Sequence, residues 1–184
     1  YSLDLQSLYP SIIMSLNISP ETKSGFVTNW DIEKHRNNQI DVYLVRSKET
    51  DHVVRMNREN FMKFMNDSNI MISSNGVLYD TNKVGIIPEV LNQWFAERVE
   101  YKNLMKKYKN EGNLELADYY DRRQHIQKIF LNSLYGVLGL PIFRFFDIDN
   151  ALAVTATGQD VIKNSANFTN KLYQDKLQDT KDYC

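Results

Sequence analysis

Two sets of side chains have the types and spacing for chemistry on a phosphorylated ligand. The first is Asp4 with the turn that follows it, in DLQSLYPSII (4–13). Mg²⁺ is held by one or two carboxylates together with substrate phosphates, and Asp4, at the end of a predicted strand, is the best candidate for that role. The backbone N–H groups of Ser7, Leu8 and Tyr9 can then cradle a triphosphate, with the Tyr9 ring beside the sugar. The second set is a pair of donor stripes at helical spacing. Arg98, Lys102, Lys106 and Lys109 fall within roughly 80° of one another on a helix, and Gln124, His125, Lys128, Asn132 and Tyr135 share one side of another. Arg offers phosphate oxygens a planar fork and Lys a point charge. Tyr135 followed by Gly136 suits close approach to a flat group such as a base pair. Each set also has an ordinary reading. An Asp before a Pro turn is usually structural, and a charge run is usually a solvated face, here with Glu97, Glu100, Asp118 and Asp121 as local partners.

Several elements must position these groups. Residues 1–6 read as a strand with Leu3 and Leu5 on one face and Asp4 on the other. Ser7 to Ser11 form a turn in which Pro10 fixes the backbone as a helix over about 10–16 begins. ISPETKSG (18–25) has loop chemistry. Between 26 and 87 the pattern predicts short strands at DVYLVRS and HVVRM, a helix at NRENFMKFMN, a strand at NIMIS and a hairpin across GVLYDTNKVGII. Phe61, Phe64, Met62 and Met65 follow helical spacing and read as core. Pro88-Glu89 opens a long helix to 110. Glu-Gly-Asn at 111–113 breaks it, and Asn113 caps a second helix over 114–136. So short a turn makes the two helices an antiparallel hairpin. Ile126, Phe130, Ser133 and Val137, opposite the donors, are its expected packing face. IFRFF reads as a strand, and a last helix covers about 149–173.

The composition sets outer limits. An apolar share of 42% with 12% aromatics supports a real core, and a net charge of −1 gives no global polycation signal, so any basic surface is local. The single cysteine, Cys184, excludes an internal disulfide framework and fits a reducing compartment. The most apolar stretch, FLNSLYGVLGLPIF, is too short and too interrupted for a membrane span, so the default compartment is the cytosol. His35, His52 and His125 have no metal-ligand spacing, and Trp30 and Trp94 read as core or hinge packing. The sequence opens inside an apolar strand without an initiator Met, which suggests a piece of a longer chain.

Five segments, in order, carry a resemblance to the family B DNA polymerases, most closely the branch of T-even-like bacteriophages. DLQSLYPSI (4–12) resembles their motif A, and KIFLNSLYG (128–136) resembles motif B, K-x-x-x-N-S-x-Y-G. KVGIIPEVL (83–91) is similar to the lead-in to the fingers of nucleic-acid-primed members, RVEYK (98–102) to the R-x-x-x-K of the first fingers helix, and IFRFFDIDNALAVTATGQ (142–159) to the segment after motif B. The resemblance is weakest over 26–75. It implies an α+β fold in which part of a palm (1–87 and 137–184), built of antiparallel strands plus helices, carries a projecting two-helix fingers hairpin (88–136). It also implies that Asp4 binds both catalytic Mg²⁺ ions, while Leu5 and the backbone of Ser7, Leu8 and Tyr9 line the triphosphate. Tyr9 would be the steric gate against a ribose 2′-OH. Arg98, Lys102 and Lys128 would hold the β and γ phosphates, and Lys128 would also protonate the departing pyrophosphate. Asn132 and Tyr135 would back the nascent base pair, with Gly136 allowing its approach.

The implied partners are primer–template DNA, dNTPs and the rest of a polymerase, in the same or a second chain, with a sliding clamp reached through that remainder. No membrane is implied, and a phage-borne protein would work in the host cytoplasm. Motif C, Tyr-x-Asp-Thr-Asp, is not found in the sequence, nor are the exonuclease and thumb signatures. Asp147-Ile148-Asp149 is a tempting substitute, but it reads as a strand end followed by helix capping by Asp149. The expectation is therefore a fragment that is inactive alone. Two alternatives stand beside it: a protein-primed family B polymerase, and a non-catalytic nucleotide- or partner-binding half of a split polymerase.

Overall fold

A computed structural model describes residues 7–50 and 52–177. The predicted strand over 1–6, with Asp4 and Leu5, lies outside them. The chain runs α1 (Leu8–Leu16), β1 (Lys23–Val27), α2 (Ile32–Arg36), β2 (Val42–Ser47), β3 (Val53–Asn57), α3 (Arg58–Asp67), β4 (Ile70–Ile72), β5 (Val77–Asp80), α4 (Ile86–Asn110), α5 (Leu114–Leu138) and α6 (Ile148–Leu177). The strands form one antiparallel sheet in the order β3-β2-β1-β5-β4. The fold is α+β, as expected.

Two apolar clusters fill it. One gathers Ile12 and Ile13 of α1, Ile18, Val77 and Tyr79 of β5, Ile87 and Leu91 of α4, Leu131 and Leu138 of α5, and Ala153 and Val154 of α6. The other packs Val27, Tyr43, Val45 and Leu78 of the sheet on Phe61 and Met65 of α3. In strand β5 successive side chains point to opposite faces, so Leu78 serves one cluster while Val77 and Tyr79 serve the other.

Local chemistry explains the element ends that matter. Asn17 closes α1 in the left-handed region (φ 57°), a conformation Asn tolerates better than most residues. Its buried amide donates to the carbonyls of Asp80 (2.7 Å) and Lys83 (2.8 Å) and accepts from Gly85 N (2.9 Å). One side chain thus joins the end of α1 to the start of α4. Helix α4 begins at Ile86, two residues before the expected start at Pro88, because its first amides find remote acceptors. Ile86 N donates to Glu21 Oε1 at 2.5 Å and Ile87 N to Ser19 Oγ at 3.5 Å. Asn113 caps α5 as predicted, accepting from Leu116 N at 3.2 Å.

Several expectations are corrected. IFRFF is no strand: tight turns with amide bonds from Phe143 to Leu140 (2.9 Å) and from Phe146 to Phe143 (2.9 Å) carry the chain into α6. GVLYDTNKVGII is only half a hairpin. β5 pairs with β4 before it and with β1, and residues from Val84 on lead into α4. ISPETKSG ends in β1 rather than in a loop, and Met62 is exposed while Met65 and Phe61 are buried. The packing face of α5 is Ala117, Leu131 and Leu138, whereas Ile126 and Phe130 remain 49% and 46% exposed. Apolar residues lie on more than one side of that helix, and the side that meets α4 and α6 wins.

Candidate nucleotide-binding site

The site grows from the turn into α1. Ser7 occupies the N-cap position in the left-handed region (φ 55°, ψ 41°), and its side chain makes no capping hydrogen bond. Its carbonyl accepts from Ser11 N at 2.9 Å, which starts the helix. A non-glycine residue held there costs roughly a kcal/mol or more and persists only where the surroundings fix it. With its side chain free of capping, Ser7 Oγ instead accepts from Nη1 of Arg98 at 3.4 Å.

Arg98 is the unusual member. It is only 7% exposed, yet no carboxylate among the described residues lies within ion-pair distance, and its Nε is buried without a partner. Buried charges are normally paired. One turn further along α4, Arg98 shares a groove of about 190 Å³ with Lys102 and Lys106, walled by Phe95, Val99 and Asn103. The expected basic stripe of α4 thus exists, and Arg98 is its buried root.

Tyr9, on the first turn of α1, lies against Tyr135 of α5 with ring centroids 4.4 Å apart and planes tilted by 45°. The chain therefore brings together two candidates that are 126 positions apart in sequence, one from each end of the motif order. The Tyr135 hydroxyl is held above its ordinary pKa, chiefly by burial and then by the neighbouring Tyr9, with a hydrogen bond to Thr155 partly opposing the shift. It stays a neutral hydroxyl at physiological pH. Lys128 and Asn132 are exposed on α5, and among the described residues neither hydrogen-bonds another candidate residue. Gly136 borders open space: a Cβ there would meet nothing within 4 Å. Packing within the chain does not demand that glycine, so the room it leaves faces outward. Gln127, between the donors, bonds to Glu97 and ties α5 to α4.

No metal set is formed among the described residues: no three His, Cys, Asp or Glu side chains gather for one. Asp147 and Asp149 both grip Lys23, whose Nζ lies 3.0 Å and 2.7 Å from them. Burial alone lowers the Lys23 pKa, and the bonds to Asp149 and Asp147 more than offset it, so the lysine stays charged. Asp147, not Asp149 as expected, is the residue that caps α6, accepting from the amides of Asp149 (3.0 Å) and Asn150 (3.2 Å). This pair is a structural clasp.

Sequence reasoning missed the contribution of α6 to the site. Gly158 lies against the Tyr9 ring, and Thr155 meets Tyr135. Neither residue carries chemistry that a spacing rule would flag. Trp94 packs on Phe130 at 5.5 Å and Trp30 donates to the Ser74 carbonyl at 3.1 Å, the packing roles expected of them. Among the described residues no helix is long and apolar enough to cross a membrane.

Comparison with known proteins gives this geometry its context. Residues 1–183 match the sequence model of DNA polymerase family B. The chain is 33% identical over 175 residues to the DNA polymerase of Choristoneura biennis entomopoxvirus, covering 91% of this chain and 16% of that protein. It is 28% identical over 229 residues to the DNA-directed DNA polymerase of Enterobacteria phage T4, covering 98% of this chain and 23% of the relative. The corresponding enzyme of Escherichia phage RB69 is 26% identical over 210 residues, with 86% and 20% covered. The chain thus spans less than a quarter of the length of each of these relatives. With the family model matched over nearly every residue, the chain belongs to DNA polymerase family B.

Proposed function

We propose that this chain is the nucleotide-selecting palm and fingers part of a DNA-directed DNA polymerase, which adds dNTPs to a primer 3′-OH on a DNA template. Residues 1–87 and 137–184 are assigned to the palm and residues 88–136 to the fingers. The observation that carries the reading is Arg98. A buried guanidinium that has no carboxylate partner among the described residues, its fork toward Ser7 at the start of α1 and next to a lysine groove, is suited to an anion supplied from outside. The contact between Tyr9 and Tyr135 sets two packed aromatic rings close to that turn, where a nucleotide's sugar and base would rest.

In this reading Arg98, Lys102 and Lys128 neutralise the β and γ phosphates, which lowers the cost of charge building on the leaving pyrophosphate. Lys128 is also in the family position for giving that group a proton. Leu5 and the backbone of Ser7, Leu8 and Tyr9 hold the triphosphate in line, so that positioning supplies much of the rate. Tyr9 excludes a 2′-OH, and Asn132, Tyr135 and Gly136 back the new base pair. Asp4 is assigned as the ligand that this chain offers to Mg²⁺, on the family resemblance. Mg²⁺, when bound, supplies charge neutralisation at the transferring phosphoryl group. A two-ion site needs a further carboxylate beyond motif A, and the rest of the polymerase, in the same or a second polypeptide, is assigned to bring it.

The test is primer extension. The chain alone is expected to extend nothing at a useful rate, while the complete polymerase extends a DNA primer and loses this on Asp4→Ala. Mg²⁺-dependent extension by the isolated chain, or a complete protein indifferent to Asp4→Ala, would overturn the reading.

A further inference from the structure

The Tyr9 ring has a wall behind it, formed by α6. A Cβ built on Gly158 of α6 would stand 2.9 Å from Cε1 of Tyr9, and 3.5 Å from both Cδ1 of Tyr9 and Cδ1 of Ile12. The last two are ordinary contacts. The first is not, because carbon atoms rest about 3.5–4.0 Å apart. Restoring that spacing means moving the ring or the helix by about half an ångström or more.

Neither side yields easily. Tyr135, with its ring centroid 4.4 Å away, limits where the Tyr9 ring can go. Helix α6 is held on both flanks of Gly158. Ser74 N donates to Oγ1 of Thr157 at 3.1 Å, and both terminal nitrogens of Arg36 grip Asp160, at 2.7 Å and 2.5 Å. Ser74 Oγ adds a bond to Asp160 at 3.3 Å. The helix backbone is thus fixed by the sheet side of the molecule, and the bare Cα of Gly158 sets how far back the ring can sit.

We propose that Gly158 is a specificity-determining position: by seating the Tyr9 ring against α6, it sets the depth of the space left for the nucleotide sugar. The inference rests on the reading of Tyr9 as the sugar gate. Any side chain at 158 drives the ring forward into that space, so the deoxynucleotide itself is squeezed. The effect falls on nucleotide binding before it falls on chemistry.

The experiment is single-nucleotide incorporation by the complete polymerase, with the remaining segments present in cis or in trans, using a dNTP and the matching rNTP. Wild type, Gly158→Ala, Tyr9→Ala and the double variant are compared, with thermal unfolding in parallel. Gly158→Ala is expected to raise KM for the dNTP at least about tenfold, with kcat within about threefold and the unfolding temperature close to wild type. In the Tyr9→Ala background the same substitution is expected to change KM by less than about twofold, because the clash has been removed. An unchanged KM in Gly158→Ala, or an equal rise in both backgrounds, would overturn the proposal. Should Gly158→Ala not fold, the double variant decides: recovered folding supports the ring contact, and a double variant that is equally unfolded refutes it. A wild-type enzyme that accepts ribo- and deoxynucleotides alike fails the gate reading itself. A selective wild type with an indifferent Gly158→Ala fails this inference alone.

Discussion

The two apolar clusters divide the work of the molecule unequally. The helical cluster carries candidate residues: Tyr9 and Tyr135 pack directly on it, and Arg98 lies on the helix that roots in it. The sheet cluster, with Tyr43 stacked on Phe61 at 4.2 Å and 5°, carries none of the candidate residues. The sheet side is tied to α6 and its cap by polar, directional links as well: Lys23 to Asp147 and Asp149, Ser74 to Thr157, and Arg36 to Asp160. Apolar contact brings surfaces together but is non-directional, whereas hydrogen bonds fix angle and register. The candidate residues are thus gathered by packing, and the helix behind them is aligned by bonds from the sheet side.

Mutations that strike one cluster only separate the two roles. The largest effect belongs to Arg98. Arg98→Ala in the complete polymerase is expected to lower kcat/KM for dNTP incorporation by about 10²–10³. Thermal stability should hold or rise, because a buried charge with no carboxylate partner among the described residues is removed. Single-turnover kinetics beside a melting curve would show both, and a large stability loss would return Arg98 to a structural role. Next comes Phe61→Ala, which deletes the centre of the sheet cluster and should cost about 3–5 kcal/mol in denaturant unfolding of the chain. A cost near zero would mean that the sheet cluster is no core.

The smallest effect belongs to the seam between the two clusters. The hydrogen bonds from Arg36 hold the Asp160 carboxyl below its ordinary pKa of 3.8. A carboxylate whose pKa is depressed by folding stabilises the fold above its unfolded pKa, and loses that contribution as pH falls through the folded value. Arg36→Ala should therefore cost about 1 kcal/mol or less at pH 7, given the exposure of the pair. It should also flatten the loss of melting temperature from about pH 4 downward. Parallel acid melting profiles of wild type and variant would count against the pair as a clasp.

What could be read from the sequence followed how local its causes are. Helices α3, α4 and α5 were legible because period, Pro88 and the Asn113 cap all act within a few residues. Strand β1 was not, since Gly25 looks like loop chemistry. In the sheet it is a close approach, where a Cβ would meet the Arg46 carbonyl oxygen at 2.2 Å. The aromatic alternation of IFRFF imitates a strand, but its backbone amides bond within local turns instead of along a sheet edge. Motifs A and B exposed Ser7, Tyr9 and Tyr135 as candidates, RVEYK exposed Arg98, and those four do meet in pairs. Gly158 and Asp160 stayed hidden because their partners are the Tyr9 ring and Arg36, more than 120 positions earlier.

Strand β5 has a consequence for how the molecule comes apart. It is a party wall, with Leu78 furnishing one room and Val77 and Tyr79 the other. A slip of one residue along β1 would turn each side chain into the wrong room at once. Neither half can then loosen privately at this strand. A disturbance that starts beneath the sheet therefore reaches the helices through this strand, which gives a distant half of the chain a say in how Tyr9 and Tyr135 are held.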